Sequence, residues 1–298
     1  METLKFIDIH THGSFGVDFN QGCYEEIKFA LKELYKRNIR GICPTLVGDS
    51  NKNIQKQLCI FEKIRKEQLL NPKKEALVLG IHLEGTFLSP KSPGIQNKKV
   101  FKKGTIDNFK ALVGKHENII KIVTIAPEEN VDLIEYLNNK KIITQAGHTT
   151  ANTIGNCKGI THLFNAMNSI HHRNQSLVLE GLVNNEIYCE VIADLVHLSK
   201  DVLKLIFKTK PIKKILLISD SLPCAHSKND IIFCGKKISK EGKDKEGKLA
   251  GSNKTIDMIC KNLIKEEILA KKDIVQMGFK NQIKYLRLNR KEIDILNM

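Results

Sequence analysis

Eight short apolar runs of β type recur along the chain, and amphipathic helical stretches separate most of them. The runs fall at 4–10, 40–46, 76–84, 119–126, 141–148, 159–164, 186–194 and 214–220, with helical patterning at 24–37, 53–70, 131–139, 176–184 and 201–208. Strands alternating with helices predict βαβ units and a parallel sheet. Eight such strands are the number that closes a TIM-type (β/α)8 barrel, which needs about 250 residues. The 298 residues therefore read as a single α/β barrel domain over 1–298, with 280–298 as a short C-terminal extension. Two long loops, 85–104 and 221–253, interrupt the rhythm, and 255–269, 272–277 and 281–288 are patterned as helices.

Polar residues sit where such a barrel would use them. The first strand ends in His10-Thr-His12, the third in His-Leu-Glu84, the fifth in Ala-Gly-His148, the sixth in Thr-His162 and the eighth in Ser-Asp220. In a (β/α)8 barrel these ends converge at one mouth, where active sites lie. Imidazoles and carboxylates together suit a divalent ion of the Zn, Fe, Mn or Co type. An ion so held lowers the pKa of water into the neutral range, and a nearby carboxylate can take the proton and pass it on. Each group alone has a plainer explanation. A histidine on an apolar strand packs as a satisfied core residue, and Asp220 could cap the next helix. Five of eight strand ends carrying such groups favours a metal hydrolase.

Composition narrows the class. Forty-eight basic against 33 acidic residues give a net charge of +15, yet only 6% of residues are aromatic and Trp is absent. Basic residues spread along the whole chain without an Arg-rich arm read as a solvated surface, not as a nucleic-acid interface. Apolar runs are too short for the roughly 18 residues of a membrane span, and the N-terminus lacks a signal-peptide pattern. The eight cysteines form no Cys-x-x-Cys pair. They are expected to be reduced, in a cytoplasmic protein.

The strings Phe-Ile-Asp-Ile-His-Thr-His-Gly (6–13) and Gly-Ile-His-Leu-Glu-Gly (80–85) resemble the amidohydrolase superfamily. Within it the chain resembles the N-acetylglucosamine-6-phosphate deacetylase family. The resemblance rests on Thr-Ile-Ala-Pro-Glu-Glu (124–129), Ala-Gly-His-Thr (146–149), Thr-His-Leu-Phe-Asn-Ala-Met (161–167), Ile-Ala-Asp-Leu-Val-His (192–197), Ile-Ser-Asp (218–220) and Lys-Leu-Ala-Gly-Ser (248–252). It implies that Glu84, His148 and His162 hold a principal metal ion and that Asp220 is general base and then acid. The His10–His12 pair implies room for a second ion, with Glu84 bridging. By the same resemblance Asn165, Ala166, Arg173 and His197 would hold a sugar phosphate. Ile95, Gln96, Leu249, Ala250 and Gly251 would line the sugar and acyl pocket. Arg and His at positions 173 and 197 reach across to a neighbouring subunit in the family, which implies a homodimer. Without the resemblance, the plainer readings are a solvated loop residue for Arg173 and an exposed helix-start residue for His197.

The pattern also departs from the family. Its accessory β-sandwich is expected to be largely missing, which leaves barrel surface to be shielded by other means. Gln96 stands where the family carries a histidine that contacts the scissile carbonyl. Glutamine can donate to a developing oxyanion but carries no charge. His148 and His162 lie only 14 positions apart, too close for the family's intervening helix.

Overall fold

The computed structural model describes residues 4–298. Eight parallel strands form the barrel: β1 (Phe6–Thr11), β2 (Ile39–Val47), β3 (Ile81–Glu84), β4 (Ile120–Ile125), β5 (Ile143–Ala146), β6 (Gly159–Ile160), β7 (Tyr188–Ile192) and β8 (Ile215–Ile218). They pair in chain order. The ring closes just beyond β8, where Ser221 bridges Thr11 in parallel. The Asp220 N–H donates to the His10 carbonyl at 2.9 Å and the His12 N–H to the Ser221 carbonyl at 2.8 Å. Closure thus brings the chemistry-bearing ends of the first and last strands side by side.

Strands β1, β3 and β5 are buried at every position, as expected of a barrel wall covered on both faces. The expected third strand, 76–84, is broken in two, because Gly80 turns through φ +133° between Leu77–Val78 and Ile81–Glu84. A side chain there would meet the Lys121 Cβ at 2.7 Å, so the fourth strand passes close only because residue 80 is glycine.

Helices α1 (Tyr24–Lys36), α2 (Asn51–Leu70), α3 (Ile106–Val113) and α4 (Val131–Asn139) follow the first four strands. The next three, α5 (Leu177–Val183), α6 (Lys200–Thr209) and α7 (Ile256–Lys265), follow β6, β7 and β8. Helix α1 buries Ile27, Ala30, Leu31 and Leu34, the i, i+3, i+4, i+7 stripe of a helix laid on a sheet. Ser50 and Ser199 cap α2 and α6 through their hydroxyls. No helix joins β5 to β6, in keeping with the short spacing; residues 149–158 cross as turns, burying Ile154 and Cys157.

Among the described residues the sheets outside the barrel are two two-stranded hairpins, Gly13–Ser14 with Val17–Asp18 and Ile231–Phe233 with Lys236–Ile238, and no β-sandwich forms. The chain closes the far end of the barrel itself. Helices α8 (Lys271–Val275), α9 (Asn281–Tyr285) and α10 (Arg290–Asn297) fold beneath it. Tyr285, Leu286, Leu288 and Leu296 join Ile7, Ile9, Leu77 and Ile143 in one buried cluster. The Asn281 and Gln282 side chains donate to the Ile215 and Leu217 carbonyls of β8.

Candidate active site

Glu84, at the end of β3, is the hub of the C-terminal mouth. Its Oε1 lies 2.8 Å from His162 Nε2, 3.1 Å from His148 Nε2 and 3.5 Å from His10 Nε2, and its Oε2 lies 3.3 Å from His12 Nε2. Asp220 Oδ1 lies 3.1 Å from His12 Nε2 and 3.4 Å from His10 Nε2. Two ligand triads therefore share one carboxylate: Glu84 with His148 and His162, and Glu84 with His10 and His12. The backbone turns through positive φ at His148 (47°), His162 (27°) and Asp220 (52°). L-residues rarely adopt this region, and it recurs where a site over-determines its backbone.

Proton positions follow from the outer partners. His12 Nδ1 faces the Thr45 carbonyl at 3.2 Å and His148 Nδ1 the Ser92 carbonyl at 3.0 Å. A carbonyl only accepts, so each Nδ1 carries a proton and, in the neutral ring, each Nε2 turns a lone pair inward. His10 Nδ1 meets Glu190 Oε2 at 2.9 Å, and its buried Nε2 has no hydrogen-bond partner. The Nε2 atoms of His148 and His162 stand 3.1 Å apart. Lone pairs facing carboxylate oxygens form an arrangement that a divalent cation satisfies, and the outer carbonyl and carboxylate partners are those of metal-binding histidines. The residues present thus fit one or two such ions.

The same demand for positive charge shows in the acid–base balance. Burial opposes charge on His12, but Asp220 and Glu84 outweigh it and raise the ring to about 9. His10 is likewise raised, against burial, by Glu84, Glu190 and Asp220. Burial works against the Glu84 and Asp220 carboxylates as well, and the surrounding imidazoles still hold both below their ordinary value.

Above this cluster opens a cavity of about 530 Å³, within the usual range of small-molecule sites. His12, Glu84, His148, His162 and Asp220 lie on it, and so do Ile95, Gln96, Asn165, Ala166, His197, Leu249, Ala250 and Gly251. His10 sits beneath, fully buried. Arg173 is not among the lining residues and lies in the exposed stretch 169–175. His197, expected to reach toward a neighbour, lines the cavity of its own chain. Its Nδ1 pairs with Asp194 Oδ2 at 2.9 Å, and Ser252 Oγ holds the same oxygen. Burial disfavours charge on His197, but the Asp194 contact raises its pKa on balance.

Several neighbours were not read from the sequence. Lys91 and Lys248 also line the cavity, and Lys248 Nζ donates to the Gly94 carbonyl at 2.7 Å, tying the two long loops together. Glu190 stands behind His10. His82 is a satisfied core residue: its Nδ1 meets the Ile9 carbonyl at 3.0 Å and its Nε2 the Thr124 hydroxyl at 2.8 Å.

A closed parallel barrel that gathers four imidazoles and two carboxylates at its C-terminal mouth defines a protein of the amidohydrolase type with a candidate metal centre. No protein-family model matches the chain. Among curated proteins it is 32% identical over 262 residues to the N-acetylglucosamine-6-phosphate deacetylase of Bacillus subtilis, covering 83% of this chain and 65% of that protein. It is 25% identical over 272 residues to the N-acetylgalactosamine-6-phosphate deacetylase of Escherichia coli O157:H7, covering 87% and 71%. The solved N-acetylglucosamine-6-phosphate deacetylase from Thermotoga maritima matches with a TM-score of 0.82 at 27% identity, over 95% of this chain and 78% of that one. The chain thus spans just under two thirds of the Bacillus relative's length. Its sequence and its fold are similar to those of the N-acetylglucosamine-6-phosphate deacetylases.

Proposed function

We propose that this protein removes the acetyl group of N-acetylglucosamine 6-phosphate, giving glucosamine 6-phosphate and acetate. The observation that carries this reading is the Glu84 carboxylate shared by two histidine pairs beside Asp220, on the floor of a cavity with His197 in its wall. A divalent ion of the Zn, Fe, Mn or Co type, or a pair of them, would be held by Glu84, His148 and His162 and by His10, His12 and Glu84. Such an ion supplies Lewis-acid polarisation of the amide carbonyl and lowers the pKa of water.

The protein's own residues do the rest. Asp220, kept ionised by its imidazole neighbours, takes a proton from the attacking water. It returns that proton to the amine nitrogen as the C–N bond breaks, so the leaving group departs neutral. The Asn165 amide, the Ala166 backbone and the His197 ring line the cavity and would hold the phosphate, and Lys91 and Lys248 add positive charge nearby. Binding energy gathered at the phosphate holds the acetamide in place for attack. Leu249, Ala250 and Gly251 close over the sugar.

A homodimer agrees with the exposure of Arg173 and of its neighbour Ile170, since a second copy of the chain could bring this arginine to the phosphate. No helix among the described residues is long and apolar enough to cross a membrane, and a sugar-phosphate substrate points to the cytoplasm. The test is acetate release from N-acetylglucosamine 6-phosphate, with metal content measured on the same sample and Asp220→Asn as control. Turnover abolished in the control supports the reading, whereas a metal-loaded protein without turnover contradicts it. N-acetylgalactosamine 6-phosphate run in parallel reports which C4 epimer is preferred.

A further inference from the structure

We propose that Gln96 is a positioning residue for Glu84 and not a donor to the substrate; the inference rests on the deacetylase reading of the site. Its side chain is 6% exposed and lies on the cavity wall. Oε1 accepts the Gly48 N–H at 3.2 Å. Nε2 donates to the Glu84 carbonyl at 2.8 Å and to Glu84 Oε2 at 3.3 Å. An amide can be placed either way round, but here the choice is forced: the Gly48 N–H only donates and the Glu84 carbonyl only accepts.

Both Nε2 hydrogens are therefore spent on Glu84, and none is left for a developing oxyanion. The carboxamide links the end of β2, through Gly48, to the end of β3, and fixes the Glu84 carboxyl plane. Oε2 is held toward His12, which leaves Oε1 for His148 and His162. Because Glu84 belongs to both ligand triads, a rotation of this one carboxylate disturbs both at once.

The test uses Co²⁺ alone as probe, in competition with a chelator, on wild type, Gln96→Met and Gln96→Glu. Methionine keeps the length and removes all three hydrogen bonds. Glutamate keeps the shape and the Gly48 contact, so it is the variant read where methionine does not give native circular dichroism, and it turns an acceptor on Glu84. The expected result is Co²⁺ affinity about 10–100-fold weaker in both variants, the usual cost of losing a partner that orients a ligand, with an altered Co²⁺ absorption spectrum and native circular dichroism. Unchanged Co²⁺ affinity and spectrum, with kcat lower by ~10²–10³ and KM unchanged, would make Gln96 an oxyanion donor and overturn the proposal. A wild type that binds Co²⁺ but releases no acetate contradicts the deacetylase reading alone, since the affinities still decide the role of Gln96. A wild type that binds no Co²⁺ overturns both.

Discussion

His10 Nδ1 lies 2.9 Å from Glu190 Oε2, and neither side chain is exposed to solvent. The contact fixes the histidine proton on Nδ1 and aims Nε2 at Glu84 and Asp220. Glu190 also accepts the His162 backbone N–H at 3.3 Å, so one buried carboxylate steadies a residue from each triad. Removing its charge should weaken the ion at His10 and His12 before the ion at His148 and His162. Glu190→Gln is expected to lower the affinity of the weaker site by about 10–100-fold, read as a drop in bound-metal stoichiometry at limiting free metal. Stoichiometry and affinity equal to wild type would show that His10 needs no carboxylate behind it.

Gly94 approaches the His148 ring more closely than any other residue type could. Its φ is +59°, and a Cβ there would stand 2.7 Å from His148 Cε1. Gly94→Ala strains the backbone and pushes the imidazole off Glu84 Oε1 together. The expected outcome is loss of tight metal binding at the Glu84–His148–His162 set, with a melting temperature lowered modestly and helical content unchanged. A variant that retains metal as wild type does would show that the 85–104 loop yields without moving the ligand.

His197 gives the pH dependence its sign. Its pKa is raised above the ordinary 6.5 despite burial, because Asp194 faces it, and Asp194, which burial would raise, is lowered to about 2 by that same contact. The imidazolium's contribution to binding and stability is complete below 6.5 and is lost as pH climbs through the raised value. The Asp194 contribution is present above 3.8 and is lost only toward its lowered value of about 2. A phosphate monoester becomes a dianion above about pH 6. KM for the sugar phosphate is therefore expected to rise on the alkaline side, and His197→Asn should show a higher KM without that limb. An identical alkaline limb in the variant would assign it to another group.

The far end of the barrel carries a stability prediction. Leu296 is fully buried, and a Cβ on Gly41 of β2 would lie 2.8 Å from its Cδ2, so the C-terminal helix fills the place a side chain would take. Leu296→Ala is expected to cost ~2–5 kcal/mol, as core truncations do, measured by denaturant unfolding. A loss too small to measure would mean that α10 packs loosely.

The barrel was legible because its strands are largely apolar and five of the eight carry their chemistry at one end. Histidines and carboxylates there stand out against Ile, Leu and Val, and ring closure then places residues 10, 12, 84, 148, 162 and 220 together. The short spacing between His148 and His162 also foretold the absent helix. What escaped notice did so for physical reasons. Gly80 breaks the third strand through its φ, which apolar patterning does not register. Helix α3 has only eight residues and follows a loop rich in Gly and Pro. Glu190 left a signal that could have been used, as the one charge in the strand Tyr188–Ile192. Lys91 left none, since 48 basic residues make any single lysine uninformative, and Lys248 opens the string 248–252 but carried no sign of its own that it lines the cavity. For Arg173 the polar run around it suited both a phosphate ligand and an exposed turn, and the fold of one chain leaves it exposed.

The most direct measurement is acetate release from N-acetylglucosamine 6-phosphate by protein stripped with a chelator and then titrated with Zn²⁺ or Mn²⁺. The account predicts that stripping abolishes release and that one or two equivalents of metal restore it. Full activity in the stripped protein, or none in the reloaded one, would contradict it.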